Sequence, residues 1–586
     1  MKIKYYVPVM LLLSAFTFTS IASAYSTHTV ETITSQLQGI THQLQILVSQ
    51  LQLYFLQKPE LAATVRASVV AGSKPNIIFL LTDDLDYNMM SQLPKIKSMM
   101  ADKGMTFQNH FVSLSLCCPS RAATLCGEYA HNTGVFTNEA TNTSDGTNGA
   151  YTAFQKFGDD SKTMAIWLQN AGYSTALMGK YLNGYSADAG VPYTIPQGWT
   201  NWAVPLAGNA YAQYNYTLDA NGTPEPHYLA NCNGGQASST CKLSLNGATN
   251  VDKQANFMMN VIKNKAIDFI STNAAAQKPF FLYLAPYTPH SPSTPAPKYE
   301  SLINDSTWLA ANPLPRPDSF NEADVSDKPS WLKNNAPLLT DTDIAALTKV
   351  YQKRLISMYA VQDMLNDLIT ALANAGQLNN TYIVFTSDNG FHTGEHRLTD
   401  GKLTEFDTDL HVPLIIRGPG VATGTVTTQI TANVDIAPTF AALAGLPIPD
   451  SVDGRSFMET LLGSTSVPRN ALLLEHADPV NYAQLMKLTT STGEPRDTAT
   501  QNSPIKGGEF VTSYSGIRTA QYTYIHYVKN SEEELYDNLN DPQQLVNIAA
   551  TASSTLMSNL RTWTTDLSTC KGATCRSIEA ESRLPQ

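Results

Sequence analysis

The run Cys117-Cys118-Pro119-Ser120-Arg121 puts a thiol, a rigid turn, a hydroxyl and a guanidinium within five positions. Upstream, Asp83 and Asp84 follow an apolar run, Asn76 to Leu81, and Thr82. Some three hundred residues later, Ser387-Asp388-Asn389-Gly390 follows a second apolar run, Tyr382 to Thr386. Two adjacent carboxylates repel one another unless a cation neutralises them. Three carboxylates and one amide oxygen together form a hard, all-oxygen site whose natural occupant is Ca2+, with Mg2+ or Mn2+ as alternatives. Zinc fits less well, because no Cys/His cluster has tetrahedral ligand spacing. Alone, either acidic pair is as readily a helix N-cap. Taken with a reactive side chain and an arginine, the acidic oxygens suit a hydrolase acting on an anionic ester.

Cys117 is the candidate nucleophile position, and Arg121 offers a fixed donor fork that offsets carboxylates. Pro119 restricts its own φ and the residue before it, which fixes the turn. Ser120 reads as part of that turn rather than as a nucleophile.

Followed by Ala122-Ala123-Thr124-Leu125-Cys126-Gly127, the run resembles the sulfatase signature: cysteine, any residue, proline, serine, arginine, and a glycine six residues on. In that family, a formylglycine-dependent branch of the alkaline phosphatase superfamily, the first cysteine is converted to formylglycine by a formylglycine-generating enzyme. Cys117 matches it, and Cys118 fills the variable position. The resemblance implies that the hydrated aldehyde attacks sulfur with one hydroxyl, ionised beside the metal. The ester alcohol leaves, and deprotonation of the second hydroxyl expels sulfate, a specialised covalent catalysis. It implies metal ligation by Asp83, Asp84, Cys117, Asp388 and Asn389. Lys180, in Gly179-Lys180-Tyr181-Leu182-Asn183-Gly184, and Lys402, after Asp400-Gly401, resemble positions that place charge on the sulfuryl oxygens. His290 resembles one that binds or protonates the ester oxygen, its pKa lying near working pH. Leu182 departs from the histidine that many sulfatases carry there; His392 or His396 would compensate or contact substrate.

The resemblance runs from about Lys74 to Ala549, around an atypical insert near residues 200–250. Later landmarks are Arg417-Gly418-Pro419-Gly420, Asp435-Ile436-Ala437-Pro438-Thr439, Ile517-Arg518-Thr519, Glu534-Leu535-Tyr536-Asp537 and Asp541-Pro542. Asp435 reads as structural. The segment from Phe391 to Arg417 looks most like N-acetylglucosamine-6-sulfatases, which points to a sulfated sugar; small aryl sulfates would be accepted as well. A phosphonate monoester or phosphate ester hydrolase with the same centre is the close alternative. A serine-based hydrolase of the superfamily competes if Cys117 stays unmodified. A carbohydrate-binding protein with a degenerate site is the distant one.

The elements around these residues alternate. Asn76–Leu81, Tyr173–Met178, Pro279–Ala285, Tyr382–Thr386 and Val412–Arg417 read as buried strands. Ser161–Asn170, Lys253–Ser271, Thr340–Ala375 and Asp435–Leu443 read as helices. The pattern predicts an α/β fold, a parallel sheet covered on both faces; the resemblance implies an alkaline-phosphatase-like sheet that is mixed and mostly parallel, flanked by helices. Its strands would present ligands at their carboxyl ends. Residues 185–250 read as an elaborated loop region. From about residue 450, short strands at Leu472–Glu475, Gly516–Thr519 and Gln521–Val528 predict a smaller antiparallel unit, with Asn530–Asn547 wrapping it up. The last twenty or so residues read as a tail. The expected organisation is a signal peptide (1–24), a helical extension and linker (25–73), a catalytic domain (74–450) and a smaller C-terminal subdomain (451–586).

The signal reading rests on Lys2 and Lys4, the short apolar run Val7–Ala15 and the small residues Ala22-Ser23-Ala24. It predicts a periplasmic or secreted protein with no transmembrane anchor in the mature chain. Residues 30–60 carry apolar residues at three- and four-residue spacing, an amphipathic helix. In an oxidising compartment, Cys232–Cys241 and Cys570–Cys575 would close short loops. With 38 Lys plus Arg against 49 Asp plus Glu, the net charge of −11 argues against nucleic acid as a partner. It leaves an anionic sulfate ester open, because local cations and a metal dominate a pocket.

Overall fold

The computed structural model describes residues 74–138, 149–185, 194–229, 248–464, 467–477 and 511–585. The signal segment, the 30–60 helix and the Cys232–Cys241 pair lie outside the described residues. From Lys74 onward the chain forms one compact unit.

Ten strands make its central sheet: β1 (Asn76–Thr82), β2 (Met105–Phe111), β3 (Ser174–Gly179), β4 (Asn201–Gly208), β5 (Tyr216–Ala220), β6 (Thr223–His227), β7 (Phe280–Ala285), β8 (Thr381–Ser387), β11 (Leu414–Arg417) and β12 (Thr425–Ala432). Across the sheet they lie in the order β12-β2-β11-β8-β1-β7-β3-β4-β5-β6. A two-stranded ribbon, β9 (His392–Thr393) with β10 (Asp400–Gly401), stands apart from it. β8, β1, β7, β3 and β4 run parallel, and every residue of β1 is buried. Alternation of side chains explains how both faces are filled. Ile78 and Leu80 pack in one core layer, Ile77, Phe79 and Leu81 in the other. Helices Met258–Ala275 and Asp341–Asn374 cover the first face. Helices Cys117–Cys126, Met164–Asn170 and Ile436–Leu443 cover the second. The long Asp341–Asn374 helix starts at a capping box, in which Thr340 and Asp343 bond each other's backbone N–H.

Three sequence readings change. Residues 201–227 are not a loop: β4 extends the parallel core, and β5 and β6 add antiparallel edge strands. Prolines 205, 224 and 226 and abundant polar residues disguise them. On the opposite edge, β2 and β12 escape a search for apolar runs, because Gln108 and Asn109 interrupt one and threonines alternate through the other. β11 runs antiparallel to both β8 and β2, so the sheet is mixed there.

The third change is at the C-terminus. A four-stranded antiparallel sheet, β13 (Leu472–His476), β14 (Tyr514–Arg518), β15 (Tyr522–Tyr527) and β16 (Glu533–Asp537), is present as expected. The last twenty or so residues are not a tail. Helices Ser554–Leu567 and Ala573–Ala580 are joined through the Cys570–Cys575 disulfide and pack into the same core as the small sheet. Glu579, fully buried, accepts from Arg469 Nε (3.0 Å). Arg469 also grips both oxygens of Asp435, which gives that carboxylate a structural role.

Candidate active site

Four neighbouring strands bring the polar residues together. In the order β8, β1, β7, β3 their carboxyl ends lead into Asp388–Asn389, Asp83–Asp84, His290 and Lys180. Strands lie about 4.8 Å apart, so groups just beyond four adjacent ends share one pocket. The backbone extends the ladder past those ends: Asp83 N bonds Thr288 O (3.1 Å), Asp388 N bonds Thr82 O (3.1 Å) and Lys180 N bonds Ala285 O (2.7 Å). Gly179 permits the last contact. A Cβ there would stand 2.0 Å from Ala285 O, and its φ is +108°. Asp84 itself holds a left-handed φ of 67°, a conformation that costs energy and clusters at functional sites.

Cys117 opens the Cys117–Cys126 helix, facing the strand ends from the helix N-terminus, where partial positive charge favours an anion. Its Sγ lies 3.3 Å from Asp83 Oδ1 and 3.8 Å from Asp84 Oδ1. Lys402 Nζ reaches both Cys117 Sγ (2.8 Å) and Asp84 Oδ1 (2.6 Å). Lys180 Nζ sits 2.8 Å from Asp83 Oδ2, and Arg121 Nε donates to Asp388 Oδ2 (2.8 Å). His290 Nε2 is 3.6 Å from Asp84 Oδ2, its Nδ1 bonding Ser291 O at 2.7 Å. Asn389 Nδ2 donates to Asp84 Oδ1 (2.7 Å). Apart from Ser291, each of these residues is at most 4% exposed. One ligand atom each from Asp83, Asp84, Cys117 and His290 falls within 4.8 Å of the others.

Charge sets the titration. Burial opposes ionisation of Asp83, but Lys180, His290, Arg121 and Lys402 outweigh it and hold that carboxyl below the ordinary range. Burial pushes Asp388 up to about 6; Arg121 opposes the rise while Asp83 and Asp84 add to it. Burial also works against the Arg121 charge, yet Asp388 and Asp83 raise its pKa well above the usual value. A divalent cation fits these residues. Asp388 is a buried carboxyl pressed by two others, and the buried Asn389 Oδ1 has no hydrogen-bond partner among the described residues.

Residues 75–446 match the family model for sulfatases. The chain belongs to the sulfatase family. Over 520 residues it is 31% identical to N-acetylglucosamine-6-sulfatase of Homo sapiens, with 87% of each chain covered. Among solved structures, one in complex with its substrate D-glucosamine-2-N,6-O-disulfate shares the fold at a TM-score of 0.64. It is 22% identical, covering 87% of this chain and 100% of that one. Phosphonate monoester hydrolase of Silicibacter pomeroyi shares it at a TM-score of 0.58, 20% identical, over 83% and 93% of the two chains. The enzyme is thus a sulfuric ester hydrolase with an alkaline-phosphatase-like sheet.

In this sulfatase not every candidate joins the cluster. His392 Nδ1 pairs with Asp409 (2.9 Å), which raises its pKa against the effect of burial. His396 Nδ1 pairs with Glu322 (2.7 Å), and burial keeps its pKa below the ordinary value. Ser120 Oγ accepts from Asn433 Nδ2 (3.0 Å). Leu182 packs in the core among Tyr181, Tyr185 and Trp202. Sequence reasoning missed Arg354, a buried side chain of the Asp341–Asn374 helix that donates to Asp84 O (2.6 Å). It also missed Asn138, whose side chain holds Cys118 N (2.8 Å), and the rings of Tyr211 and Tyr287 beside Lys180. An arginine inside an amphipathic helix reads as solvated, so only an odd position on its apolar face signals Arg354.

Proposed function

We propose that this sulfatase hydrolyses the sulfate ester of a sugar, using formylglycine formed from Cys117 and a divalent cation, Ca2+ in preference to Mg2+ or Mn2+. The observation that carries the reading is the convergence of Asp83, Asp84, Cys117, Arg121, Lys180, His290, Asp388 and Lys402 in one buried cluster. Asp83, Asp84, Asp388, Asn389 and the oxidised residue 117 would hold the cation. When present, the cation makes an oxygen ligand more acidic and draws charge from the sulfuryl group, and the hydrated aldehyde supplies the attacking oxygen. Arg121 orients that group and balances Asp388. Lys180 and Lys402 neutralise charge growing on the nonbridging oxygens, and His290 hands a proton to the departing alcohol.

Charge favours an anionic ester. Three carboxylates face three fixed cations, and His290 adds a fourth when it carries the proton it donates. A divalent cation makes the cluster more positive still. Sulfate and phosphonate monoesters both bring a single negative charge to it. A cavity of about 530 Å3, lined by Asp86 and Tyr87 after β1 and by Phe391, Glu395 and His396 after β8, lies a few residues along the chain from the cluster, whose own side chains do not line it. Rings and carboxylates of this kind suit the faces and hydroxyls of a sugar. The human relative's N-acetylglucosamine-6-sulfatase activity supports that class. Export is part of the reading, since Cys117 would meet its converting enzyme during maturation. No helix among the described residues is long and apolar enough to cross a membrane.

The test compares kcat/KM on matched aryl sulfate, aryl phosphonate and aryl phosphate esters, and on N-acetylglucosamine 6-sulfate. The reading expects both sulfates to be cleaved and the phosphate to trail by at least about 100-fold. Preference for the phosphonate over both sulfates would favour the phosphonate hydrolase instead.

A further inference from the structure

We infer that Tyr211 is a positioning residue that aims Lys180 and His290 at the ester. The inference rests on the roles proposed for those two. Tyr211 lies between β4 and β5, in the short turn Ala210–Ala212, and is 5% exposed. Its ring centroid is 5.0 Å from Lys180 Nζ and 4.6 Å from the His290 ring. It meets the Tyr287 ring edge-on at 4.7 Å and 74°, and the Tyr287 centroid is 5.9 Å from the same ammonium. Asn183 Nδ2 stands 3.5 Å from the Tyr211 hydroxyl.

Each contact has a physical consequence. The two rings wall the Lys180 ammonium, offering it π density while excluding water that would screen its charge. A lysine has four rotatable bonds, and rings packed around the ammonium that Asp83 holds reduce the rotamers open to it. The His290 ring has its Nδ1 tied to Ser291 O, which leaves rotation of the whole plane as its remaining freedom. Tyr211 packs against that ring at a tilt of 51° and keeps Nε2 directed at the carboxylate cluster.

The turn is itself anchored. Asn209 caps it by accepting from Ala212 N (3.2 Å), and Gln213 O receives Met258 N (2.9 Å). β4, which leads into the turn, is paired in parallel with β3, the strand that ends at Lys180. The polar segment that extends the sheet thus delivers one aromatic ring to the reacting centre.

The test uses the converted, metal-loaded enzyme with two substrates, 4-nitrophenyl sulfate and N-acetylglucosamine 6-sulfate. Tyr211→Phe keeps the ring; Tyr211→Met keeps the bulk and removes the π face. The expected result is Tyr211→Phe within about 3-fold of wild type on both. Tyr211→Met should fall about 10-fold in kcat on the aryl ester and about 100-fold on the sugar ester, whose alcohol needs a proton to leave. Should the methionine variant fail to fold by circular dichroism, Tyr211→Leu takes its place with the same expectation. Unchanged kcat, or an equal fall on the two substrates, overturns the inference. So does a Tyr211→Phe variant as impaired as Tyr211→Met, because then the hydroxyl and not the ring acts. A wild-type enzyme that cleaves neither sulfate would instead refute the sulfatase reading, whatever the variants do.

Discussion

In the proposed mechanism, residue 117 and its neighbours divide the chemistry in a way that single substitutions separate. Cys117→Ala removes the attacking group and little volume, so kcat/KM should fall by at least about 10^4-fold with the melting temperature nearly unchanged. Lys402→Ala leaves the nucleophile and removes one charge from the sulfuryl oxygens, for an expected loss of about 100- to 1000-fold in kcat. A larger effect of Lys402→Ala than of Cys117→Ala would reverse those assignments. Most of this constellation is legible in the sequence, because its members sit in short motifs: two acidic strand ends, the cysteine-proline-arginine turn, and lysines and a histidine after strands. What is not legible is who shares whose proton or charge. His392 and His396 sit in one motif with Asp388, yet each is paired with a carboxylate outside the cluster, Asp409 of the short helix Asp407–Leu410 or Glu322.

Among the elements, four adjacent strands and one helix N-terminus aim the site, and hydrophobic periodicity identifies all four strands because both of their faces are buried. The same signal fails at the edges, where β2, β5, β6 and β12 are polar on one side. It also fails at the last helix, Ala573–Ala580, whose buried residues are Glu579 and Cys575, the latter held in the disulfide. One junction there should be pH-sensitive. His131, in the short Ala130–Thr133 helix, bonds Glu475 of β13 (2.7 Å) and Cys570 O (2.9 Å). Burial opposes its charge, but Glu475 and the carbonyl raise its pKa to about 9. Because the folded value exceeds the unfolded one, the stabilisation is complete below about pH 6.5 and disappears as pH rises through about 9, at most about 3 kcal/mol. Thermal unfolding between those limits should show wild type losing stability relative to His131→Gln; parallel curves would show that the clamp is not charged.

At the scale of the whole molecule, the metal should matter more for activity than for folding. Three fixed cations already balance the three buried carboxylates, so chelation should abolish turnover and lower the melting temperature while leaving circular dichroism at 25 °C unchanged. Ca2+ should restore both losses, and full turnover after exhaustive chelation would show the cation to be dispensable. The architecture as a class, a mostly parallel sheet with a smaller antiparallel one, is legible in the order of buried runs; its mixed edge at β11 is not, since a strand's direction leaves no mark on its composition. The proposed mechanism turns on the side chain at position 117 in active enzyme. Mass spectrometry of the peptide containing it, taken from protein made in a host that forms formylglycine, should show one oxygen in place of sulfur and two hydrogens, in proportion to activity. Fully active enzyme whose peptide retains an unaltered cysteine would contradict it.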